Sequence, residues 1–369
     1  MTSPRLAIAF ALAFALGACG GVRDAIRAQP APAAPKFDPR ELVDVLPPGA
    51  VPAIDRPGFE SQASAALRLQ PPDPVAVVRL GEDARAYPLA ILVWHEIVND
   101  TVGGVAVAVT YSPLAGAALA FRRSVEGRTL TFGASGKLYR SNLVMYDRET
   151  TSLWPQLVGG AVLGPLAGRM LEQVPLQIAS FGDFRASYPD GVVLTAETGA
   201  ARVYGATPYQ GYDSRTAPSG SFFVLRADGR SRAMERVAGV AAGGEARAFP
   251  FSALRSSGGV IWDRIDGADV VVLWRPGTRS VLDSSLIADA HDVGSTGVFV
   301  PVLDGRRLEF TGDSEGFRDA QTGSSWTVLG VATGGPLKGS RLVPVTHAEA
   351  LWFAWAAFNP ATSVFGASS

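Results

Sequence analysis

The chain has 369 residues, 47% of them hydrophobic, with 33 Lys and Arg set against 34 Asp and Glu. That length suits two domains or one duplicated domain with a substantial core. The balanced charge, with no basic run interleaved with aromatics, offers no field for nucleic acid and excludes it as a partner class. Gly at 41 and Pro at 26, together with short Val/Thr/Tyr/Phe runs, favour many short strands joined by tight turns over a helical bundle.

Residues 1–19 read as a targeting segment. Arg5 and the amino terminus supply positive charge, Leu6 to Leu16 form an apolar run of eleven residues, and Leu16-Gly17-Ala18-Cys19 closes it with small residues before a cysteine. A run this short is a signal peptide rather than a mature span, and no later stretch is apolar and long enough to cross a bilayer. The closing pattern resembles the bacterial lipobox, in which the cysteine becomes the lipidated first residue. Cys19 is the sole cysteine, so no disulfide can form. A cleaved signal with a chance cysteine is the alternative. Gly20 rather than Asp follows Cys19, which points to the outer membrane. The expected location is the periplasmic face of the cell envelope, with the membrane as partner through lipidated Cys19.

Residues 20–46 are an Ala/Pro-rich tether with little to bury. Past it, Val75–Leu80 and Arg85–Tyr87 read as strands. Pro88 suits the first position of a helix, and Leu89, Leu92, Val93 and Ile97 follow helical spacing. On that helix His95 and Asn99 would share one face, and Glu96 and Asp100 another. Val105–Tyr111 reads as a strand buried on both faces, and Ala117–Phe121, Arg128–Phe132, Leu143–Tyr146 and Val192–Thr195 as further strands. Phe181–Tyr188 is a short helical patch. Gly133-Ala134-Ser135-Gly136-Lys137 lacks the spacing of a phosphate loop and reads as a turn. Residues 201–220 carry no periodicity and are either a linker or a loop ordered against a site.

The second half echoes the first. EARAFPFSAL repeats ARAYPLAIL with Pro88 against Pro250, VVVLWRPG repeats VAVTYSPL with Pro113 against Pro276, and TGSSW repeats TTSLW with Trp154 against Trp326. Ordered landmarks with drifting loop lengths predict an internal duplication. The expected architecture is a strand-rich α+β chain of two tandem similar domains: 47–205, the first repeat with the candidate site, and 206–369, a second, degenerate repeat. Where the first has HEIVND, the second has Leu254-Arg255-Ser256-Ser257-Gly258-Gly259. The polar cluster is confined to one copy, so chemistry is expected there.

Within that copy His95, Glu96 and Asp100 are the candidate catalytic groups, since an imidazole beside a carboxylate can act as general base. The zincin pattern needs a second His where Asn99 stands, so no metal is assigned. His291 and His347 could complete a composite site, although nothing in the spacing requires it. His95, Asn99, Ser112, Arg140, Asn142 and Asp147 are candidate ligand-binding residues. A satisfied core histidine, a turn serine (Ser112 lacks the GxSxG elbow) and a buried network through Arg140, Asn142 and Asp147 are the structural alternatives. A His95 ring, Ser112 and Asp147 converging on an open cleft would favour a site; a His95 sealed and bonded to backbone would favour structure.

At WHEIVNDTVGG, VTYSPLAGAALAF, LTFGASGKLYRSNLVMYDRETTSLW and PYQGYD, over about residues 44–360, the chain resembles the domain of unknown function 3179 family. These are bacterial and archaeal proteins, many with a secretion signal. In that family the strand after HEIVND usually ends in Cys-Pro-Leu-Cys-Gly. Here Ser112 and Ala115 stand at the cysteine positions, while Pro113, Leu114 and Gly116 are kept. Paired thiols near His and Glu would imply redox or soft-metal chemistry, which this turn cannot perform. The expectation is therefore a non-catalytic or degenerate ligand-binding protein of the envelope, for an unidentified small molecule and with no cofactor. A hydrolase using His95 with Glu96 or Asp100 as general base competes with it, and an envelope scaffold is a third reading.

Overall fold

The computed structural model describes residues 37–218, 228–313 and 316–367. The signal segment, Cys19 and most of the tether lie outside the described residues. With 12% of residues helical and 42% in strands, the chain is strand-rich α+β. No helix among the described residues is long and apolar enough to cross a membrane.

Before residue 206 the principal elements are β1 (Pro74–Leu80), β2 (Asp83–Pro88), α1 (Leu89–His95), β3 (Ile97–Val102), β4 (Val105–Ser112), β5 (Ala117–Arg122), β6 (Phe132–Tyr139), β7 (Asn142–Asp147), β8 (Leu176–Ser180) and α2 (Phe181–Ser187). After it come β9 (Arg236–Ala242), β10 (Glu245–Pro250), α3 (Phe251–Ser256), β11 (Val260–Ile265), β12 (Ala268–Arg275), β13 (Ser295–Val300), β14 (Ala348–Leu351) and α4 (Trp352–Phe358).

The helix expected to carry the whole polar cluster stops at His95. Glu96 takes φ +57° while its N–H still closes onto the Leu92 carbonyl at 2.8 Å, and β3 starts at the next residue. Ile97, Val98, Thr101 and Val102 are β-branched and suit the pleated hairpin with β4 better than a helix. Gly103 and Gly104 close that hairpin with φ of +54° and +78°; a Cβ on Gly103 would also lie 2.4 Å from the Leu80 carbonyl oxygen. The helical-face pairings of His95 with Asn99 and of Glu96 with Asp100 therefore do not form. Residues 133–137, expected as a turn, lie inside β6, which is bulged between Ala134 and Lys137. Gly136 sits in that bulge at φ +75°, where a Cβ would meet the Leu46 carbonyl at 1.9 Å. β4 is buried from Val107 onward, in keeping with its unbroken apolar run.

Strands from both sides of residue 205 share one sheet. Its order runs from Ser363–Val364 through β10, β9, β14, β5 and β4 to β3, with β14 joined to β5 at Glu349 opposite Ala118. A five-stranded sheet holds β8, β1 and β2, and a four-stranded sheet holds β11, β12 and β13. The cores are shared in the same way: Leu92, Tyr111 and Ala115 pack in one cluster with Leu351, Trp352 and Trp355, and Val75, Phe181 and Phe184 in another with Val271, Phe299 and Trp326.

One hydrogen-bonded corner occurs twice. After β7, Asp147 Oδ2 accepts from the Thr150 hydroxyl at 2.9 Å, the Ser152 N–H at 3.1 Å and the Trp154 indole N–H at 2.9 Å. After Phe317–Asp319, Asp319 Oδ2 accepts from the Thr322 hydroxyl at 2.9 Å, the Ser324 N–H at 3.1 Å and the Trp326 indole N–H at 2.9 Å. Each indole is met edge-on by a phenylalanine, Phe132 at 5.8 Å and Phe310 at 5.6 Å between ring centroids. The offset is 172 positions from Asp147 to Asp319 and again from Trp154 to Trp326.

Candidate functional site

His95 closes α1 with 1% of its surface exposed. Its Nδ1 lies 2.6 Å from the Pro52 carbonyl, which can only accept, so Nδ1 carries the proton. Nε2 is then left to accept from the Tyr204 hydroxyl at 2.6 Å, and Tyr204 and Thr198 hydroxyls lie 2.6 Å apart. Burial pushes the imidazole pKa down, so the ring is neutral with both nitrogens engaged. This is the sealed, backbone-bonded geometry of a structural histidine.

Asn99 and Asp100 follow on β3 and, as neighbours on a strand, point to opposite faces. Asn99 clasps Phe132 through both ends, donating to its carbonyl at 2.8 Å and accepting its N–H at 3.0 Å, and also donates to Asp55. Asp100 accepts from Arg85 at 2.8 and 2.9 Å and from the Tyr87 hydroxyl at 2.5 Å. Burial, reinforced by that carboxylate, pushes the Tyr87 pKa well up. Arg85 also stacks over Phe59 with its guanidinium 4.5 Å from the ring centroid. These two polar residues tie strands together.

Ser112 is 1% exposed and accepts the Leu143 N–H at 3.1 Å, and Ala115 is fully buried beside it. Asn142 donates to Gln156 and accepts the Leu157 N–H, both at 2.8 Å, while Gln156 reaches on to the Thr110 hydroxyl and the Ala117 carbonyl. Arg140 bonds Glu41 at 2.5 Å and the Ala357 carbonyl at 2.7 Å, pinning the strand turn to α4. Asp147 holds the corner described above. The structure thus spreads His95, Ser112 and Asp147 over separate closed networks and does not gather them on a common cleft.

Glu96 is the member of the cluster left without a partner. Its carboxyl has no hydrogen bond or ion pair among the described residues, and burial raises its pKa from 4.5 to about 7. The Glu96 charge in turn adds to the burial that pushes Tyr209 above the ordinary phenol value. Its left-handed φ is uncommon for a residue other than glycine, and such strain of about 1–3 kcal/mol concentrates at functional positions.

Tyr209 belongs to the segment whose role the sequence left open. Its described part is ordered against the Pro113–Ala115 turn: the Tyr212 hydroxyl donates to the Leu114 carbonyl at 2.8 Å and the Tyr212 N–H to the Leu282 carbonyl at 2.7 Å. Behind the turn lies the Tyr111 hydroxyl, buried and without a partner. Burial raises its pKa, with the charges of Arg236, Asp213 and Glu349 acting on it as well. Arg236 is held by Asp213 at 2.7 Å, and Glu349, 6% exposed, accepts from Thr296 at 2.9 Å while burial raises its pKa to about 7. Glu96, Tyr111, Tyr209, Asp213, Arg236 and Glu349 form a polar junction where the two parts of the chain meet. Sequence reasoning missed Tyr111, Arg236 and Glu349 because each sits singly in an apolar strand context, and only the repeated aromatic residues of PYQGYD marked the loop.

A separate cleft of about 410 Å³, lined by residues such as Gly244, Arg247, Arg264, Asn359 and Thr362, shares no lining residue with this junction. None of its lining residues has a buried polar atom left unpartnered, whereas the junction holds two, Tyr111 and Asp213, so the junction is the stronger site on chemical grounds. A sequence model described as "Protein of unknown function (DUF3179)" matches residues 48–362. No curated protein and no solved structure matches the chain.

Proposed function

The chain belongs to the DUF3179 family of proteins of unknown function, and from that premise we propose that it is a lipid-anchored ligand-binding protein of the cell envelope. Its ligand would be a small molecule that engages Glu96 and the tyrosines of the polar junction. The observation that carries the reading is the Glu96 carboxyl, half-buried, on a left-handed backbone and without a protein partner among the described residues, whose charge acts on Tyr209, which in turn acts on the buried, unpartnered Tyr111 hydroxyl. A carboxyl of pKa about 7 can receive a hydrogen-bond donor or a cationic group, and pairing with it would relieve its desolvation. His95, Asn99 and Asp100 act in this reading as the frame around Glu96.

The test is a thermal-shift screen of the purified full chain against envelope metabolites, repeated with Glu96→Gln and His95→Ala. The expected outcome is a ligand whose stabilisation is lost in Glu96→Gln and retained, on a lowered baseline, in His95→Ala. Stabilisation that is indifferent to Glu96→Gln overturns the assignment.

An enzymatic reading has one observation in its favour: a carboxyl of pKa about 7 is suited to general base catalysis near neutrality. The hydrolase would then use Glu96 rather than His95 or Asp100, since both of those are committed to internal bonds. It requires turnover rising through a pKa near 7 and abolished in folded Glu96→Gln.

The anchor rests on the Leu16-Gly17-Ala18-Cys19 pattern. Radiolabelled palmitate should enter the parent chain and not Cys19→Ala. The internal duplication rests on the ordered sequence echoes and on the corner that recurs at Asp147 and Asp319. Its second copy would serve as scaffold: there Gly259, also left-handed, offers its carbonyl to the Trp274 N–H as Glu96 does to that of Tyr111, and it brings no side chain.

A further inference from the structure

The chain has three histidines, and His95 and His347 are buried at 1% and 3% exposure. The third, His291, is exposed and stands beside two carboxylates. One ligand atom each from Asp213, Asp283 and His291 lies within 4.8 Å of the others. We propose that these three residues bind a divalent transition-metal ion of the zinc or manganese class, which clamps the loop carrying Tyr209 and Tyr212 to the second half of the chain.

An acidic cluster alone would be an ordinary surface feature, and what separates this one is Asp213. Its side chain is only 3% exposed. Oδ2 accepts from Arg236 at 2.7 Å and from the Ser280 hydroxyl, whereas Oδ1 is buried with no hydrogen-bond partner. A buried acceptor left unmatched costs about 1–3 kcal/mol, more when charged, and a bound cation would match Oδ1 while Arg236 keeps Oδ2. Arg236 and Ser280 hold the carboxylate in place, as outer partners do around metal ligands.

The other two ligands are arranged to receive the same ion. Asp283 Oδ1 accepts from the Ser214 hydroxyl at 2.8 Å, while Oδ2 accepts the His291 N–H at 3.0 Å and lies 2.9 Å from His291 Nδ1. That last separation is shorter than the ~3.4 Å between tetrahedral ligands about 2.0–2.2 Å from one metal, so seating the ion requires the His291 ring to turn slightly away from Asp283. The ion takes the place of the proton between Nδ1 and Oδ2, and the proton leaves to solvent. Side-chain exposures of 22% for Asp283 and 48% for His291 give the ion a path in. One imidazole and two carboxylates suit zinc or manganese better than calcium or magnesium, which favour all-oxygen sets. With Arg236 counted, the two carboxylates leave the set one negative charge before the ion binds.

Position gives the site its consequence. Asp213 follows Tyr212 directly, and Asp283 follows Leu282, whose carbonyl receives the Tyr212 N–H. An ion between Asp213 and Asp283 therefore fixes the chain segment that faces the Pro113–Ala115 turn. The inference is independent of any ligand at Glu96.

The experiment is calorimetric titration of the untagged, EDTA-dialysed full chain with zinc chloride and manganese chloride, with magnesium chloride as the control. The parent chain should bind one zinc or manganese ion. His291→Ala and Asp283→Asn should each weaken that binding at least ~10-fold, and the ion should raise the melting temperature of the parent but not of His291→Ala. Because His291 is exposed, melting in EDTA should match the parent and show that the variant is folded. Absence of one-to-one binding by either ion overturns the site. So does zinc binding that is unchanged in His291→Ala, or magnesium binding as strong as zinc.

Discussion

A carboxyl without a partner inside a protein is a statement about pH. Glu96 titrates at about 7 in the folded chain against 4.5 ordinarily, because burial disfavours its charged form. A raised acid pKa means the folded state holds the proton more tightly than the unfolded chain. Its contribution is fully present below pH 4.5 and is lost as pH rises through about 7, a change of about 3 kcal/mol at most. Glu349 has the same direction and the same cause. By urea denaturation at pH 5, 6, 7 and 8 the parent should lose stability relative to Glu96→Gln as pH rises, whereas the opposing trend from the depressed His95 and His347 is common to both chains; a difference that does not change with pH would mean that Glu96 is not the raised carboxyl. At this scale the sequence was legible in part. HEIVND marked a polar cluster, but which of its residues is chemically available depended on partners at Pro52, Tyr204 and Arg85, and on the absence of one at Glu96 among the described residues. Spacing carries no record of such partners.

At the scale of elements, the recurring Asp/Thr/Ser/Trp corner makes a quantitative comparison possible. Asp147 and Asp319 are 0% and 1% exposed, and each anchors a Thr hydroxyl, two backbone N–H groups and an indole. Asp147→Ala and Asp319→Ala should each destabilise the chain by about 3–5 kcal/mol, since several buried donors lose their acceptor at once. The two losses should agree within about 1 kcal/mol because the bonds are the same. Chemical denaturation measures both, and losses differing by more than twice that margin would mean the matching bonds do unequal work. The corner was foreshadowed in the paired Trp154 and Trp326. The change from α1 to β3 was not, because Leu89, Leu92, Val93 and Ile97 fit a helical period even though Ile97 starts a strand. The deciding forces were pairing of the β-branched residues with β4 and the Gly103-Gly104 turn, both non-local to the helix.

For the whole molecule, the shared sheet governs folding. β14 joins β5, and both main cores draw residues from either side of residue 205. The chain should therefore unfold in one cooperative transition by calorimetry, and residues 47–205 or 206–369 produced alone should lack protected amide hydrogens, because each would expose an unpaired sheet edge and half a core. A separate, stable melt for either half would overturn that expectation. The sequence by itself determined the strand-rich class and the family, since these follow from composition, short strand-forming runs and local motif. Only the tertiary structure decided that His95 is sealed, that Glu96 has no partner among the described residues, and that Tyr111, Arg236 and Glu349 converge from distant strands on Asp213 of the loop. Burial and pairing are properties of neighbours in space, and here those neighbours come from opposite ends of the chain.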